Sequence, residues 1–289
     1  MTAKIIDGKA LAEKFNQLTK QQLKELKKKF KLVPSLAVIL VGKNPASHIY
    51  VKRKVAKCNE LGIKSLQYLL PEEVQEEELI ELLSRINSNP TINGILIQLP
   101  LPTHINTRKI INHIHPTKDV DGFTPTNVGK LVLGQDTLIP CTPFGCLMLI
   151  KSVNDDITGK HVVIMGRSNI VGRPLAQLMI KENATVTVTH SYSENLNAIT
   201  KQADILIVAV GKSGIVTKDM VKSGAIVIDV GINRLTDGSL SGDVDFNNVK
   251  EVASFITPVP GGVGPMTIAM LMHNAYKACL MQNSLLVEE

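Results

Sequence analysis

Apolar segments of strand length, separated by segments of helix length, constrain the fold of this chain most strongly. The first is SLAVILVG (35–42) and the second is INGILIQLP (92–100). Continuous apolar runs of this kind are typical of strands buried on both faces, and a repeated β–α alternation predicts parallel sheets covered by helices. Four more segments of strand length follow: HVVIMG (161–166), ATVTVTH (184–190), ADILIVAVG (203–211) and AIVIDVG (225–231).

The same alternation suggests the domain organisation. A chain of 289 residues is long enough for about two domains. We predict one α/β domain over residues 1–139 and a second over residues 140–270. The segment 271–289 is predicted as a helix that packs back on the first domain. Because ligands of parallel α/β sheets bind beyond the carboxyl ends of the strands, we expect an active site in a cleft between the domains.

Composition argues against several classes of protein. Only 3% of residues are aromatic and Trp is absent, which argues against base-stacking platforms and hence against a nucleic-acid partner. No segment approaches the roughly 20 apolar residues of a membrane span. The seven histidines show no metal-ligand spacing, so we predict no metal. We expect a cytoplasmic protein because the cysteines are scattered and form no CxxC pair: Cys58, Cys141, Cys146 and Cys279.

The net charge of +6 is concentrated in KALAEKFNQLTKQQLKELKKKFK (9–31). Leu11, Phe15, Leu18 and Leu26 recur at helical spacing, so the segment is predicted as an amphipathic helix with a lysine-rich outer face. A solvated face is the favoured interpretation, and attraction for a polyanionic partner is the alternative.

The stretch VVIMGRSNIVGRPLAQLM (162–179) has the order strand, glycine, short turn and amphipathic helix. The usual dinucleotide fingerprint is G-x-G-x-x-G, whose middle glycine lets the backbone approach a pyrophosphate. Here Gly166 and Gly172 are six apart, and Ser168 stands near the middle position. From these residues alone, the stretch is a variant cofactor loop or an ordinary strand-to-helix turn.

The strand that follows indicates which cofactor such a loop would bind. An NAD site usually has an acidic residue at the end of this strand to bind the ribose 2′-hydroxyl. Here TVTVTHSYS ends in His190 and Ser191, while Arg167 lies in the preceding loop. A cation and hydroxyls suit a 2′-phosphate, so the residues favour NADP in a Rossmann-type second domain.

A second group of candidate residues lies in the first domain. Tyr50 and Lys54 are four apart and share one face of a predicted helix. Gln98, at a strand end, would be an unusual core residue unless it is paired. Asp121, in DVDG, offers two acceptors to a flat donor edge of a heterocycle. The alternatives are a Tyr–Lys pair on a surface helix and an acid that stabilises a turn.

Seven motifs follow one another along the chain: YVKRK, ILIQLPLP, KDVDGF, PCTPFG, GRSNIVGRP, DVGINR and PVPGGVGPMT. In this order they resemble the bifunctional methylenetetrahydrofolate dehydrogenase/methenyltetrahydrofolate cyclohydrolase family, and the resemblance covers essentially the whole chain. It implies NADP-dependent oxidation of 5,10-methylenetetrahydrofolate and hydrolysis of the methenyl product to 10-formyltetrahydrofolate. It also implies a homodimer and a place in one-carbon metabolism that serves purine, methionine and histidine biosynthesis.

The resemblance also implies roles for individual residues. Lys54, Gln98 and Tyr50 are expected to be catalytic: Gln98 bonds the lysine, and Tyr50 packs against the folate. Asp121 is expected to hold the pterin. The remaining implied residues are Gly166, Arg167, Ser168 and Ser191 for NADP, Ile232 beside the nicotinamide, and Pro260, Gly261, Gly262 and Gly264 lining the folate pocket.

One departure from the family pattern concerns the 2′-phosphate. The family often has a basic residue and Thr after HS, where this chain has Tyr192 and Ser193. That difference bears on how strongly the phosphate is bound.

Two rival functions are considered beside this resemblance. A shikimate dehydrogenase-like enzyme shares the two-domain α/β plan but should lack PGGVGPMT and DVDG. A non-catalytic folate-binding or scaffold relative should have lost Lys54 or Asp121, and both are present.

Overall fold

The computed structural model describes residues 2–285, which form two compact units. The three-stranded unit contains Lys14–Ile139 and the residues from Leu271 on; the six-stranded unit contains the residues up to Glu13 and Pro140–Met270. None of the helices in the described part of the chain has the length and apolar character needed to cross a membrane.

The helices and strands alternate along most of the chain. In chain order they are β1 (Lys4–Ile5), α1 (Gly8–Phe30), β2 (Ser35–Val41), α2 (Pro45–Leu61), β3 (Lys64–Leu70), α3 (Glu76–Ser88), β4 (Gly94–Ile97), α4 (Thr107–Asn112), α5 (Pro125–Val132), α6 (Cys141–Lys151), β5 (His161–Met165), α7 (Gly172–Lys181), β6 (Thr185–Thr189), α8 (Leu196–Thr200), β7 (Ile205–Val208), β8 (Ile226–Asp229), β9 (Asn233–Arg234), β10 (Leu240–Ser241), α9 (Phe246–Val249), β11 (Phe255–Ile256) and α10 (Val263–Gln282).

The three-stranded unit has a parallel sheet in the order β3-β2-β4. All seven residues of β2 are buried, as expected for a central parallel strand. At the carboxyl end of β2, Ile39 pairs with Tyr68 of β3 and Ile97 of β4. Gln98 directly follows β4 and therefore lies at the carboxyl edge of the sheet.

The end of α10 belongs to this unit and is fixed by side-chain amides. Asn274 Nδ2 donates to the carbonyls of Val120 and Ile139, at 2.8 and 2.7 Å. Gln282 Nε2 donates to the carbonyls of Asn93 and Thr117. These contacts attach the helix to the loops that carry Asp121 and precede β4.

The six-stranded unit has a parallel sheet in the order β1-β11-β8-β7-β5-β6. After β5 the chain places β6 on one side and then β7 and β8 on the other. In sheets of this kind the point where the order reverses is where ligands bind. The carboxyl ends of β5 and β7 therefore mark the region to search for a cofactor site.

Two features of the amino-terminal residues differ from the expectation. Residues up to Glu13 belong to the six-stranded unit, because Lys4 and Ile5 pair with Phe255 and Ile256 of β11; a two-residue strand leaves no apolar pattern in the sequence. The buried face of α1 differs from the expected one at Leu18, which is exposed; Leu26 is buried as expected, and Leu11 and Phe15 are partly buried. That face also contains Ala12, Asn16, Thr19 and Leu23.

Candidate active site

The helix α2 presents two of the candidate catalytic residues. Asn44 caps its start, because its Oδ1 accepts from the backbone N–H groups of Ala46 and Ser47 at 3.0 and 3.1 Å. Its end is fixed by Gly62, whose φ of 88° is the left-handed conformation that glycine adopts freely. Tyr50 and Lys54 lie within this helix, one turn apart and partly buried.

Lys54 and Gln98 are in direct contact. The Lys54 Nζ donates to Gln98 Oε1 at 3.0 Å, and Gln98 is only 9% exposed. Gln98 Nε2 donates to the carbonyl of Leu99 at 2.7 Å, so the amide oxygen is directed at the lysine. Among the described residues, no carboxylate forms a salt bridge with Lys54. The Gln98 amide therefore positions the Lys54 amine.

The DVDG turn contains two acids in different environments. Asp119 is buried, and its Oδ2 accepts from the backbone N–H of Thr124 at 2.7 Å and from Asn127 Nδ2 at 2.9 Å. Asp121 is only partly buried and faces a small pocket that it shares with side chains of the β4 strand and its loop, among them Ile97. Asp119 therefore stabilises the turn, a role that the sequence analysis left unassigned, and Asp121 is the acid nearer to solvent.

The loop after β5 is shaped by two glycines. Gly166 has a φ of 114°, and a Cβ there would lie 2.3 Å from the carbonyl oxygen of Ala209; a Cβ at Gly172 would lie 2.0 Å from the Gly166 oxygen. The Ser168 Oγ accepts from the backbone N–H of Val171 at 3.2 Å and so helps to hold the turn. The loop thus packs closely against the end of β7 and leads into α7, whose N-terminal N–H groups suit a pyrophosphate.

The side chains around this loop are mostly exposed. Arg167, Ser168 and Ser191 are all on the surface of the six-stranded unit. The guanidinium of Arg167 lies 5.7 Å from the ring centroid of Tyr192. The backbone N–H of Tyr192 donates a hydrogen bond to His190 Nδ1 at 3.3 Å. Arginine and hydroxyl groups beside the end of β6 fit a phosphorylated ribose.

Ile232 and the Pro260–Gly264 loop come together in the six-stranded unit. A Cβ at Gly264 would lie 3.9 Å from Ile232 Cδ1, and Ile232 is 46% exposed. The loop itself packs against the amino-terminal residues: the N–H of Lys9 donates to the Gly261 oxygen at 3.0 Å, and a Cβ at Gly8 would lie 2.0 Å from the Gly262 oxygen. The contact of this loop with a folate, and the cleft between the domains, stay predictions.

Two buried carboxylates escaped the sequence analysis. Asp229, at the end of β8, and Asp243, after β10, are both nearly inaccessible to solvent. Burial raises the pKa of Asp229 to about 6, against the lowering effect of backbone hydrogen bonds from Asp243, Val244 and Gly231. In residues 2–285 no group of three or more His, Cys, Asp or Glu side chains is arranged to hold a metal ion.

These features define a class of protein before any comparison. A parallel sheet with an order reversal, a glycine loop at that point and a following helix form a dinucleotide-binding unit. A second α/β unit carries a hydrogen-bonded Lys–Gln pair. The class is that of two-unit α/β proteins in which one unit is a dinucleotide-binding domain.

Comparison with known families identifies the chain more closely. The model of the tetrahydrofolate dehydrogenase/cyclohydrolase catalytic domain matches residues 6–121, and that of the NAD(P)-binding domain of the same family matches residues 140–283. The chain belongs to the tetrahydrofolate dehydrogenase/cyclohydrolase family. The predicted family and the predicted α/β class are therefore confirmed.

Relatives match over nearly the whole chain. The bifunctional protein FolD of Geobacillus thermodenitrificans is 56% identical over 278 residues, which are 96% of this chain and 98% of the relative. The crystal structure of the FolD enzyme of Campylobacter jejuni, a methylenetetrahydrofolate dehydrogenase/cyclohydrolase, is 50% identical with a TM-score of 0.94, covering 96% of this chain and 98% of that one. A Trypanosoma brucei enzyme, solved with NADP cofactor and inhibitor, is 35% identical with a TM-score of 0.93, covering 98% and 99%.

The shikimate dehydrogenase alternative shares the fold alone. The enzyme of Thermus thermophilus is 11% identical with a TM-score of 0.51, covering 87% of this chain and 100% of that one. Such a likeness carries no information on substrate.

Proposed function

We propose that this chain catalyses two consecutive reactions of one-carbon folate metabolism. The first is the NADP-dependent oxidation of 5,10-methylenetetrahydrofolate to 5,10-methenyltetrahydrofolate, and the second is hydrolysis of that product to 10-formyltetrahydrofolate. The observation that carries the proposal is the 3.0 Å contact between Lys54 Nζ and Gln98 Oε1, in a chain whose two domains both match the family.

The folate is held by residues of the three-stranded unit. Asp121 accepts from the amino group and the adjacent ring N–H of the pterin, because a carboxylate offers two parallel acceptors to such an edge. Tyr50 packs its ring against the folate one helical turn from Lys54. The Asp119 contacts fix the turn that carries Asp121, which supports a single pose for both reactions.

The cofactor is held by the six-stranded unit, whose residues fit NADP. The loop after β5 is closely packed at Gly166 and Gly172, where an added side chain would clash with neighbouring backbone. Helix α7 begins at Gly172. Arg167 and Ser191 bind the 2′-phosphate, and Ile232 borders the nicotinamide. NADP⁺, when bound, takes a hydride from the methylene carbon.

The oxidation requires no general base from the protein. The lone pair of the substrate nitrogen assists the oxidation, and no proton is transferred. Lys54 and Gln98 therefore serve only to orient the folate in this step.

The hydrolysis does require a base. Water adds to the cationic methenyl carbon, and the new C–O bond forms as Lys54 Nζ takes a proton from the water. The hydroxyl group then loses its remaining proton as the C=O bond forms and the bond from this carbon to N5 breaks. N5 takes up a proton, the one-carbon group stays on N10 as a formyl group, and the proton held by Lys54 is released to solvent. The positive charge of the methenyl carbon favours the neutral amine by like-charge repulsion, and Gln98 holds that amine in line.

The proposed assembly is a homodimer in which two copies of the chain contact each other through the edge of the three-stranded sheet. The seven-residue strand β3 lies at that edge, with Leu69 61% exposed. Ile49, which lines a surface pocket together with Leu69, is also exposed, and so is Leu66 of the same strand. An edge strand with exposed apolar residues favours pairing with a second copy. Sedimentation of the wild-type chain and of Leu69→Lys tests this: a shift from dimer to monomer supports it, and a monomeric wild type contradicts it.

The compartment that we propose is the cytoplasm, where the pathways for purines, methionine and histidine use this one-carbon unit. All four cysteines are buried free thiols, which suits a reducing compartment. Burial raises the pKa of Cys58 to about 12, so its reactive thiolate form is suppressed.

A spectrophotometric assay tests the proposed reactions. Purified chain is mixed with 5,10-methylenetetrahydrofolate and either NADP⁺ or NAD⁺, and the reduced cofactor and methenyl product are followed. We expect turnover with a clear preference for NADP⁺, and separate hydrolysis of added methenyltetrahydrofolate. A chain that binds the folates but turns over neither would instead be the non-catalytic folate-binding relative.

A further inference from the structure

A pair of buried carboxylates organises the carboxyl edge of the six-stranded sheet. Asp243 is 0% exposed. Its Oδ2 accepts from the backbone N–H groups of Val210 and Gly211, at 2.7 and 2.8 Å, and its Oδ1 accepts from Asn233 Nδ2 at 2.8 Å. One side chain therefore bonds both the loop after β7 and the loop after β8.

Asp229 fixes the backbone at Asp243 and at its neighbours. Asp229 Oδ1 accepts from the N–H groups of Gly231 and Asp243, and its Oδ2 accepts from that of Val244, all at 2.9 Å. The packing is tight at the two nearby glycines. A Cβ at Gly231 would lie 2.3 Å from Asp243 Oδ1, and a Cβ at Gly242 would lie 1.9 Å from Asp229 Oδ2.

The two loops joined by Asp243 border the candidate cofactor site on either side. The loop after β7 contains Ala209, whose carbonyl oxygen contacts Gly166 of the cofactor loop. The loop after β8 contains Ile232, directly before Asn233. β7 and β8 are adjacent parallel strands, so their carboxyl ends meet at one edge.

Stability alone does not account for this arrangement. Among the described residues, the two carboxylates accept hydrogen bonds from five backbone N–H groups and one side-chain amide. Burying a charge in this way is costly, and well-packed apolar side chains often stabilise a fold as well or better. What a carboxyl side chain adds is a fixed direction: that of Asp243 accepts from several donors at once, and so links the loop after β7 to Asn233 at the start of β9.

We propose that Asp243 is a positioning residue for the dehydrogenase reaction, and that it fixes the loops after β7 and β8 in the conformation that receives the nicotinamide end of NADP. This inference rests on the proposed function. Asp243 acts through Val210, Gly211 and Asn233 rather than through contact with substrate. The hydrolysis, which uses Lys54 and Gln98 and needs no cofactor, does not depend on it.

The experiment compares the two activities of a single chain. Asp243→Asn replaces one carboxylate oxygen by an NH₂ group. This group cannot accept hydrogen bonds from the N–H donors that faced the oxygen, so the hydrogen bonds to that oxygen are lost. We expect kcat/KM for NADP⁺ to fall about tenfold to a hundredfold, the loss that corresponds to one charge-assisted hydrogen bond. Hydrolysis of methenyltetrahydrofolate without cofactor should stay within about twofold of wild type, because the network is outside the unit that carries Lys54.

Two further variants keep the test decisive. Asn233→Ala removes a single donor to Asp243 and should lower kcat/KM for NADP⁺ in the same direction by less, even if Asp243→Asn fails to fold. Asp237→Asn is the matched control: within residues 2–285, Asp237 accepts hydrogen bonds from Ser239 in the nearby hairpin turn, and its substitution should leave both activities unchanged.

The outcomes separate this inference from the proposed function. If the Asn233 or Asp243 variants lower both activities together, the network is merely structural. If a folded Asp243→Asn oxidises methylenetetrahydrofolate like the wild type, the inference is wrong while the proposed function stands. A wild-type chain that oxidises nothing with NADP⁺ overturns the proposed function, and this inference with it.

Discussion

The two candidate sites of this chain differ in how they are built. The Lys54 site consists of side chains on a capped helix and at a strand end, and its main contact, from Lys54 to Gln98, is already formed. The candidate cofactor site depends more on backbone shape: Gly166 and Gly172 shape the loop after β5, and Asp243 bonds the loop after β7. Substitutions at the first site should therefore change the chemistry, and substitutions at the second should change how well a cofactor is received.

The largest expected effect separates the two reactions at one residue. Lys54→Gln removes the base of the hydrolysis, a contribution of about 10²–10⁴-fold, while the oxidation needs no proton transfer. We expect hydrolysis to be abolished in practice and measurable dehydrogenase activity to remain, with methenyltetrahydrofolate accumulating by its own absorbance. Arg53→Gln, an exposed cation on the same helix, is the control. Wild-type hydrolysis by Lys54→Gln would show that this lysine is not the base.

Asp121→Ala should affect both reactions equally, because both use one bound pose of the pterin. A misplacement of about 1 Å can cost roughly 10²-fold, and we expect losses of that order in each activity. The matched variant is Asp119→Asn, which loses buried hydrogen bonds and should lower the free energy of unfolding by about 1–3 kcal/mol. If Asp121→Ala depressed only one activity, Asp121 would have a chemical role beyond holding the folate.

Gly166→Ala tests whether the second site depends on backbone shape. The new Cβ would lie 2.3 Å from the Ala209 oxygen at a φ of 114°, so the loop must move. Strain of this kind costs of order 1–3 kcal/mol, and we expect dehydrogenase kcat/KM for NADP⁺ to fall about tenfold to a hundredfold while hydrolysis is kept.

The control for this variant shares the strain without the clash. Gly224→Ala in the same unit has a φ of 82° but open space around its Cβ. If Gly224→Ala and Gly166→Ala lowered dehydrogenase activity equally, the close approach at the cofactor loop would be irrelevant.

The difference between the sites also explains what could be read from the sequence. Helical spacing places Tyr50 and Lys54 on one face, and the buried strand runs predict both parallel sheets, because these signals are local. The resemblance supplied the Lys54–Gln98 pairing, which the structure shows. The catalytic and binding roles of these residues stay predictions until they are measured.

The features that escaped prediction depend on distant contacts. The strand β3 lies at a sheet edge, and its partly exposed residues give no continuous apolar run. β1 is two residues long and exists only because β11 is beside it. Asp243 has the local appearance of a turn acid, and its role follows from Val210 and Asn233, which the fold brings to it from elsewhere in the chain.

Arg167→Ala sharpens the comparison at the ribose end of the cofactor. Arg167 is the cation that we propose for the 2′-phosphate, and the loss of one charge-assisted contact corresponds to about tenfold to a hundredfold in affinity. We expect the Kd of NADP⁺, measured by fluorescence titration, to rise by this factor and that of NAD⁺ to change much less. Equal weakening of both cofactors would refute the phosphate role.

The smallest effect is expected at Tyr192, where the family often has a basic residue. Its ring lies 5.7 Å from the Arg167 guanidinium and is 80% exposed, a position in which a cation–π contact is worth about 0.5–1 kcal/mol. Tyr192→Ala should therefore weaken NADP⁺ only about twofold to fivefold, by freeing Arg167 rather than by removing a phosphate contact. In the Arg167→Ala background the same substitution should have almost no effect, because the ring then has no cation to hold. A double-mutant cycle on the Kd of NADP⁺ measures this coupling, and additive losses would show that Tyr192 contacts the cofactor by itself.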